Sequence, residues 1–237
     1  MAKQKKVRVE FLLQERRKPN EFGCYPIYIQ LFYNRRYADF PLREPIYVEN
    51  LEEFQRENPE IFGFEQRQLT SLMRFEEQRL GDKVTVKGIA AKYTLVHQDI
   101  YMVANQYLNN HLFKMVIKQQ PDHLVEIINM DNRISVFSFL EACDKLFENF
   151  KDGMSLSLTK SLSVFRKYLQ VCELPIHFDN RGVESSWEKR FTVMDFLSGY
   201  AQERLGSNLA DDDLLDLVKE ITIWHLNETL GNQPFNI

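Results

Sequence analysis

The sequence predicts an α+β protein: a small three-stranded antiparallel sheet at the N-terminus followed by an all-helical body of six to seven helices. Three observations carry that expectation. Apolar and polar residues alternate through much of the first forty or so positions, with turn-forming residues between the alternating runs. From Leu51 onward the apolar spacing lengthens from two to about 3.6 residues. Only 9 Gly and 8 Pro occur in 237 residues, so long loops are few. The expected domains are residues 1–50, a basic β-rich module, and 51–237, a helical body divided near 119–133.

The first strand is expected over 7–13, where Val-Arg-Val-Glu-Phe alternates before the run becomes apolar. A polar stretch over 15–23, containing Pro19-Asn20, reads as a turn-rich loop. The second strand, 25–33, is rich in aromatic and β-branched residues. Its alternation places Ile27, Ile29 and Leu31 on one face and Tyr28, Gln30 and Phe32 on the other. Pro26 fits only a strand start or an edge. Asn34-Arg35-Arg36 is expected to turn tightly into a third strand, 37–42. So small a sheet is marginal alone and needs other elements to lean on.

Helices are expected over 64–80 and 86–117, the second a long amphipathic helix interrupted at Asn109-Asn110. Gln119-Gln120-Pro121-Asp122 marks a boundary, since proline and polar residues stop helices. Ser135 is placed to cap a helix running to Phe150. A turn at 151–153 leads to a helix over 155–172, and 173–189 reads as irregular. Helices over 192–205 and 211–230 complete the body, the last headed by Asp211-Asp212-Asp213, acids that suit a helix N-terminus.

Composition narrows the function classes. Apolar residues make up 44% of the chain, with 18 Phe and 10 Tyr, which supplies a core and disfavours disorder. No apolar stretch approaches the roughly 20 residues that span a bilayer, and the basic start leads into a strand, so a cytoplasmic protein that stays off the membrane is expected. Cys24, Cys143 and Cys172 are too scattered for a disulfide framework or a metal knuckle, and buried free thiols are expected. The net charge of −4 conceals an asymmetry: through Arg43 ten Lys and Arg oppose four Asp and Glu, giving +6, so the remainder carries −10. Excess positive charge confined to one small module is the footprint of a polyanion binder.

The run 7–13, the loop with Gly23-Cys24, and then Tyr25-Pro26-Ile27-Tyr28-Ile29-Gln30-Leu31-Phe32-Tyr33-Asn34-Arg35-Arg36-Tyr37 together resemble the arm-type DNA-binding domain that opens many mobile-element tyrosine recombinases. In that family a strand beginning Pro-Ile-Tyr follows a loop, and an Asn-Gly turn with a basic residue leads to the next strand. Arg35 stands here where the family has Gly. The resemblance covers roughly the first quarter of the chain. Residues 150–169 look like the helix pair of the core-binding bundle that follows in such integrases. The resemblance implies duplex DNA as partner, with Arg35 and Arg36 at a hairpin tip, Arg16, Arg17 and Lys18 in the preceding loop, and Arg43 beyond the third strand contacting phosphates. Tyr28, Phe32 and Tyr33 offer an alternative, stacking on unpaired bases.

No complete catalytic site is expected. The active site of that family needs a His-x-x-Arg element, and none of His97, His111, His123, His177 or His225 is followed three positions later by Arg. Gly-rich phosphate cradles and metal motifs such as H-E-x-x-H are missing too, so neither cofactor nor metal is expected. His225 and Glu228 share a helix face, but a metal site would need a second such pair. The expectation is therefore a non-catalytic DNA-binding protein resembling the N-terminal part of an integrase. The competing expectation is a protein-interaction or scaffold module whose acidic helical body meets a partner, since that body would repel DNA.

Overall fold

A computed structural model describes residues 7–119, 134–176, 191–205 and 212–231. The architecture is α+β, with the three-stranded antiparallel sheet at the N-terminus and helices after it. The chain forms two compact units, Met1–His97 and Gln98–Ile237. The change of period after residue 50 is thus a change of secondary structure within one unit. The first three helices share a core with the sheet.

In the first unit, β1 (Arg8–Leu13), β2 (Tyr25–Tyr33) and β3 (Arg36–Pro41) pair in that order. A two-residue β4 (Tyr47–Val48), not expected from its sequence, pairs with the start of β2. The register stacks Val9, Leu31 and Ala38 in one row and Phe11, Ile29 and Phe40 in the next. Helices α1 (Leu51–Glu57), α2 (Pro59–Leu80) and α3 (Val86–Tyr93) follow. Ile29 and Leu31 are wholly buried beneath apolar partners from α2 and α3, while α1 packs on α2 through Phe54 and Phe62. Phe11 meets Phe62 of α2 edge-on at 4.7 Å, and Phe40 meets Tyr93 of α3 at 5.2 Å. Tyr33 donates from its hydroxyl to Glu77 at 2.6 Å, tying the end of β2 to α2.

Helix α2 begins at Pro59, earlier than the expected Phe64, because proline lacks only a donor that the first turn leaves unused anyway. Beneath the sheet, Glu76 of α2 is fully buried and takes charge-assisted bonds from Lys92 of α3 and from Arg79, whose Nη2 lies 2.9 Å away. The long helix expected over 86–117 is two helices, α3 and α4 (Ile100–Gln119). The interruption falls at 94–99 and not at Asn109-Asn110. Asp99 fixes the new start by accepting from the Tyr101 amide at 2.8 Å, and the Asn109 side-chain amide, still inside α4, donates to the Ile134 carbonyl at 3.1 Å.

In the second unit α4 is followed by α5 (Val136–Leu146), α6 (Leu156–Val171), α7 (Val193–Leu197), α8 (Tyr200–Leu205) and α9 (Asp212–Gly231). Ser135 caps α5 as expected, accepting from the Ser138 amide at 3.1 Å, although the helix stops at Leu146 and Phe150 opens a separate 3₁₀ turn. Ser155 caps α6 in the same way. The helix expected over 192–205 is broken where Gly199 adopts φ +83°. An aromatic stack of Phe137, Phe165 and Tyr168 fills the centre, with buried Tyr101 beside Phe165. Among the described residues no helix is long and apolar enough to cross a membrane. The boundary near 119–133, most of the irregular 173–189 and the acid at Asp211 lie outside the described residues.

Candidate nucleic-acid interface

The side of the sheet turned away from α2 and α3 carries the other half of each alternating strand. Its three rows, read across the sheet, are Arg8, Phe32 and Tyr37; then Glu10, Gln30 and Asp39; then Leu12, Tyr28 and Pro41. The first row is cationic and aromatic: the Arg8 guanidinium carbon sits 4.2 Å from the Phe32 ring centre, and Tyr37, 61% exposed, lies 5.9 Å from Phe32. The middle row is a strip of hydrogen-bonding groups. Gln30 donates to Asp39 at 2.8 Å, and Arg8 pairs with Glu10 at 3.1 Å.

Two of the basic groups found in the sequence lie at opposite ends of the sheet, although Arg36 is opposite Tyr33 in the helix-covered set of rows, and the cation of the outward face at the hairpin end is Arg8. Arg35 and Arg36, both exposed, are at the β2–β3 hairpin. Arg16, Arg17 and Lys18, also exposed, are in the β1–β2 loop at the other end, where Arg17 reaches over Tyr28 at 5.3 Å. The span of β2 from Tyr28 to Tyr33 separates the two ends by about 17 Å at about 3.4 Å per residue. Arg43 is not part of either group. It follows β3 and lies near Glu65 of α2, a carboxyl whose pKa burial raises, while the Tyr93 hydroxyl and the Arg43 charge act in the opposite direction.

The hairpin tip is conformationally unusual. Asn34 (φ +52°) and Arg35 (φ +64°) both occupy the left-handed region, the arrangement of a two-residue type I′ turn, whose second position favours glycine. A guanidinium is thus held at the tip against backbone preference. Arg35→Gly is expected to raise stability by about 1 kcal/mol, measured by urea denaturation, because the left-handed strain of a side-chain-bearing residue disappears. A fall in stability would show that the Arg35 side chain has a structural role.

Of the three aromatics offered for stacking, Tyr33 is buried against Glu77 and Tyr28 is only 7% exposed beneath Arg17, leaving Phe32 half-buried. Sequence reasoning missed Arg8, Tyr37 and Phe22, although strand parity alone places Arg8 and Tyr37 beside Phe32. The sheet module also has an acidic side. Glu49, Glu52, Glu53 and Glu57 line an open groove with Leu13, Glu15 and Phe54 at the start of α1. Among the described residues no cluster of three or more His, Cys, Asp or Glu is arranged to hold a metal ion. His225 is buried on α9 and Glu228 is exposed. Burial pushes the Cys143 thiol up to about 11, leaving it un-ionised and unreactive near neutrality. Compared with known proteins, the chain matches no family model, no curated protein and no solved structure.

Proposed function

We propose that the Met1–His97 unit binds duplex DNA, with the outward face of β1–β3 in the major groove and the two basic groups on phosphates at either side. On this reading the chain acts without catalysis, in the manner of the N-terminal part of a mobile-element integrase. The observation that carries it is the placement of cations at both ends of the sheet, Arg8 and the Arg35–Arg36 hairpin at one and Arg16, Arg17 and Lys18 at the other, with a hydrogen-bonding strip across the centre of the outward face. A separation of about 17 Å along β2 suits phosphates flanking a groove about 12 Å wide. Arg, Gln and carboxylate groups are the side chains that read base edges there, Arg pairing with guanine, Gln with adenine and carboxylates with the cytosine amino group. The acidic groove at α1 repels phosphates and so favours approach by the sheet face.

The test is a titration against labelled duplex and single-stranded DNA at two salt concentrations. The wild-type chain is expected to bind duplex with submicromolar, salt-sensitive affinity. Arg35→Ala with Arg36→Ala is expected to lower the slope of log K against log salt by about 1.8, because each phosphate neutralised by a side chain adds about 0.9 to that slope. Arg35→Gly should remove about half of that amount while becoming more stable, so the two effects separate binding from folding. An unchanged affinity and slope in the double variant removes both residues from the interface. Absence of DNA binding, with capture of a protein partner through the acidic helices, would favour the scaffold reading instead.

A further inference from the structure

We infer that Phe22 is an apolar wedge that enters a base step beside the phosphates held by Arg16, Arg17 and Lys18, so that the DNA is kinked when bound. The inference rests on the DNA-binding reading above and names the form of DNA that the protein selects.

Phe22 is 79% exposed, the most exposed aromatic ring among the described residues. It stands on an ordered loop. The Asn20 carboxamide oxygen accepts from the Phe22 and Cys24 amides at 3.0 and 2.9 Å, while Asn20 and Cys24 close a backbone pair at 2.9 Å. Gly23, at φ +79°, completes the turn by donating to the Asn20 carbonyl at 3.0 Å. Upstream, Arg17 donates to the Gln14 carbonyl at 3.0 Å, and Gln14 itself donates to Pro26 at the start of β2. The ring therefore projects from a backbone already fixed before any ligand arrives, which removes much of the ordering cost of binding.

An exposed ring contributes little to the fold, and three cations precede it within six residues of chain. The complementary ligand alternates apolar slots with anions. A duplex does so, with a stacked base step between flanking phosphates, and an apolar wedge that reaches past those phosphates into the adjoining minor groove parts the step and bends the helix axis. A lipid surface also offers apolar depth beneath anions, but a single ring is a weak anchor for it. The hydrogen-bonding strip of Glu10, Gln30 and Asp39 on the adjoining face, moreover, has no counterpart in a bilayer.

The experiment uses the full chain and a duplex of about 20 base pairs labelled at both ends for energy transfer. Saturation with the wild type is expected to raise end-to-end transfer, corresponding to a kink of roughly 20–90°. Phe22→Ala is expected to return the transfer to that of free duplex, with an unchanged salt slope because no cation is removed. Phe22→Trp is expected to restore the kink. Equal transfer with wild type and Phe22→Ala, or a straight duplex with both, overturns the wedge while leaving DNA binding intact. Failure of the wild type to bind duplex at low salt overturns both readings together. Phe22-dependent binding to vesicles of anionic lipid, with no change in transfer on DNA, assigns the ring to a membrane and also overturns the wedge.

Discussion

Replacing Lys92 with methionine is expected to destabilise the Met1–His97 unit by about 3–5 kcal/mol, the cost of breaking a buried ion pair from one side. Glu76 is fully buried between α2 and α3, and Lys92 and Arg79 are its charge partners in the structure. Without Lys92 the carboxylate keeps Arg79, at 3.1 and 2.9 Å, so the destabilisation should sit near the lower end of that range. Amide exchange of β2 and α3 under increasing urea isolates this unit from the helical one. The companion variant, Glu76→Leu with Lys92→Leu, should recover most of the stability, since apolar groups of similar volume replace a buried pair at little cost. Arg79 keeps 19% side-chain exposure and can turn to water. If Lys92→Met alone proves neutral, the pair is not a structural element of the core.

Phe165→Ala is expected to cost the Gln98–Ile237 unit a similar amount, about 3–5 kcal/mol, through reduced burial and the cavity left behind. Phe165 is 2% exposed and lies 6.0 Å from Phe137, 6.3 Å from Tyr168 and 6.2 Å from Tyr101, ring centre to ring centre. Removing one ring therefore deprives three neighbours of dispersion attraction at once. Urea unfolding followed by tryptophan fluorescence measures the change, since both tryptophans, Trp187 and Trp224, belong to the Gln98–Ile237 unit. Phe165→Leu should cost roughly half as much, since most of the volume remains. A change below about 1 kcal/mol for Phe165→Ala would mean that the helices close over the gap. DNA affinity, on the proposed reading, should be unchanged by either variant, because the sheet belongs to the other unit.

The strands were legible because period two is a local signal: the register places Ile27, Ile29 and Leu31 together, as alternation requires. The helix cap at Ser135 was legible for the same reason, since a cap is fixed by its own next three residues. What covers the sheet was not. Phe62 and Tyr93 close over Phe11 and Phe40 from 51 and 53 positions away in the chain, and only tertiary packing assigns 51–97 to the sheet's unit. The break at 94–99 was hidden because apolar residues keep helical spacing across it, whereas Asp99 restarts the helix through one side-chain bond. Within the candidate interface, charge located the two basic ends, but exposure decided the aromatics. Tyr33 and Phe32 are adjacent in sequence and opposite in fate, one buried on Glu77 and the other turned outward beneath Arg8.

That each unit is an unbroken stretch of chain has a consequence for synthesis. Every strand and helix shown to close the sheet's core lies before Gln98, so the unit's interactions are complete while at least the 140 residues from 98 to 237 are still to be made. At roughly 5–20 residues per second, translation of that remainder takes about 7–28 s. Hairpins and neighbouring helices of this size close in far less time. The Met1–His97 unit is therefore expected to be folded on the ribosome before the helices of the second unit emerge. Its cationic ends are then already spaced by the sheet when the acids beyond Gln98 arrive.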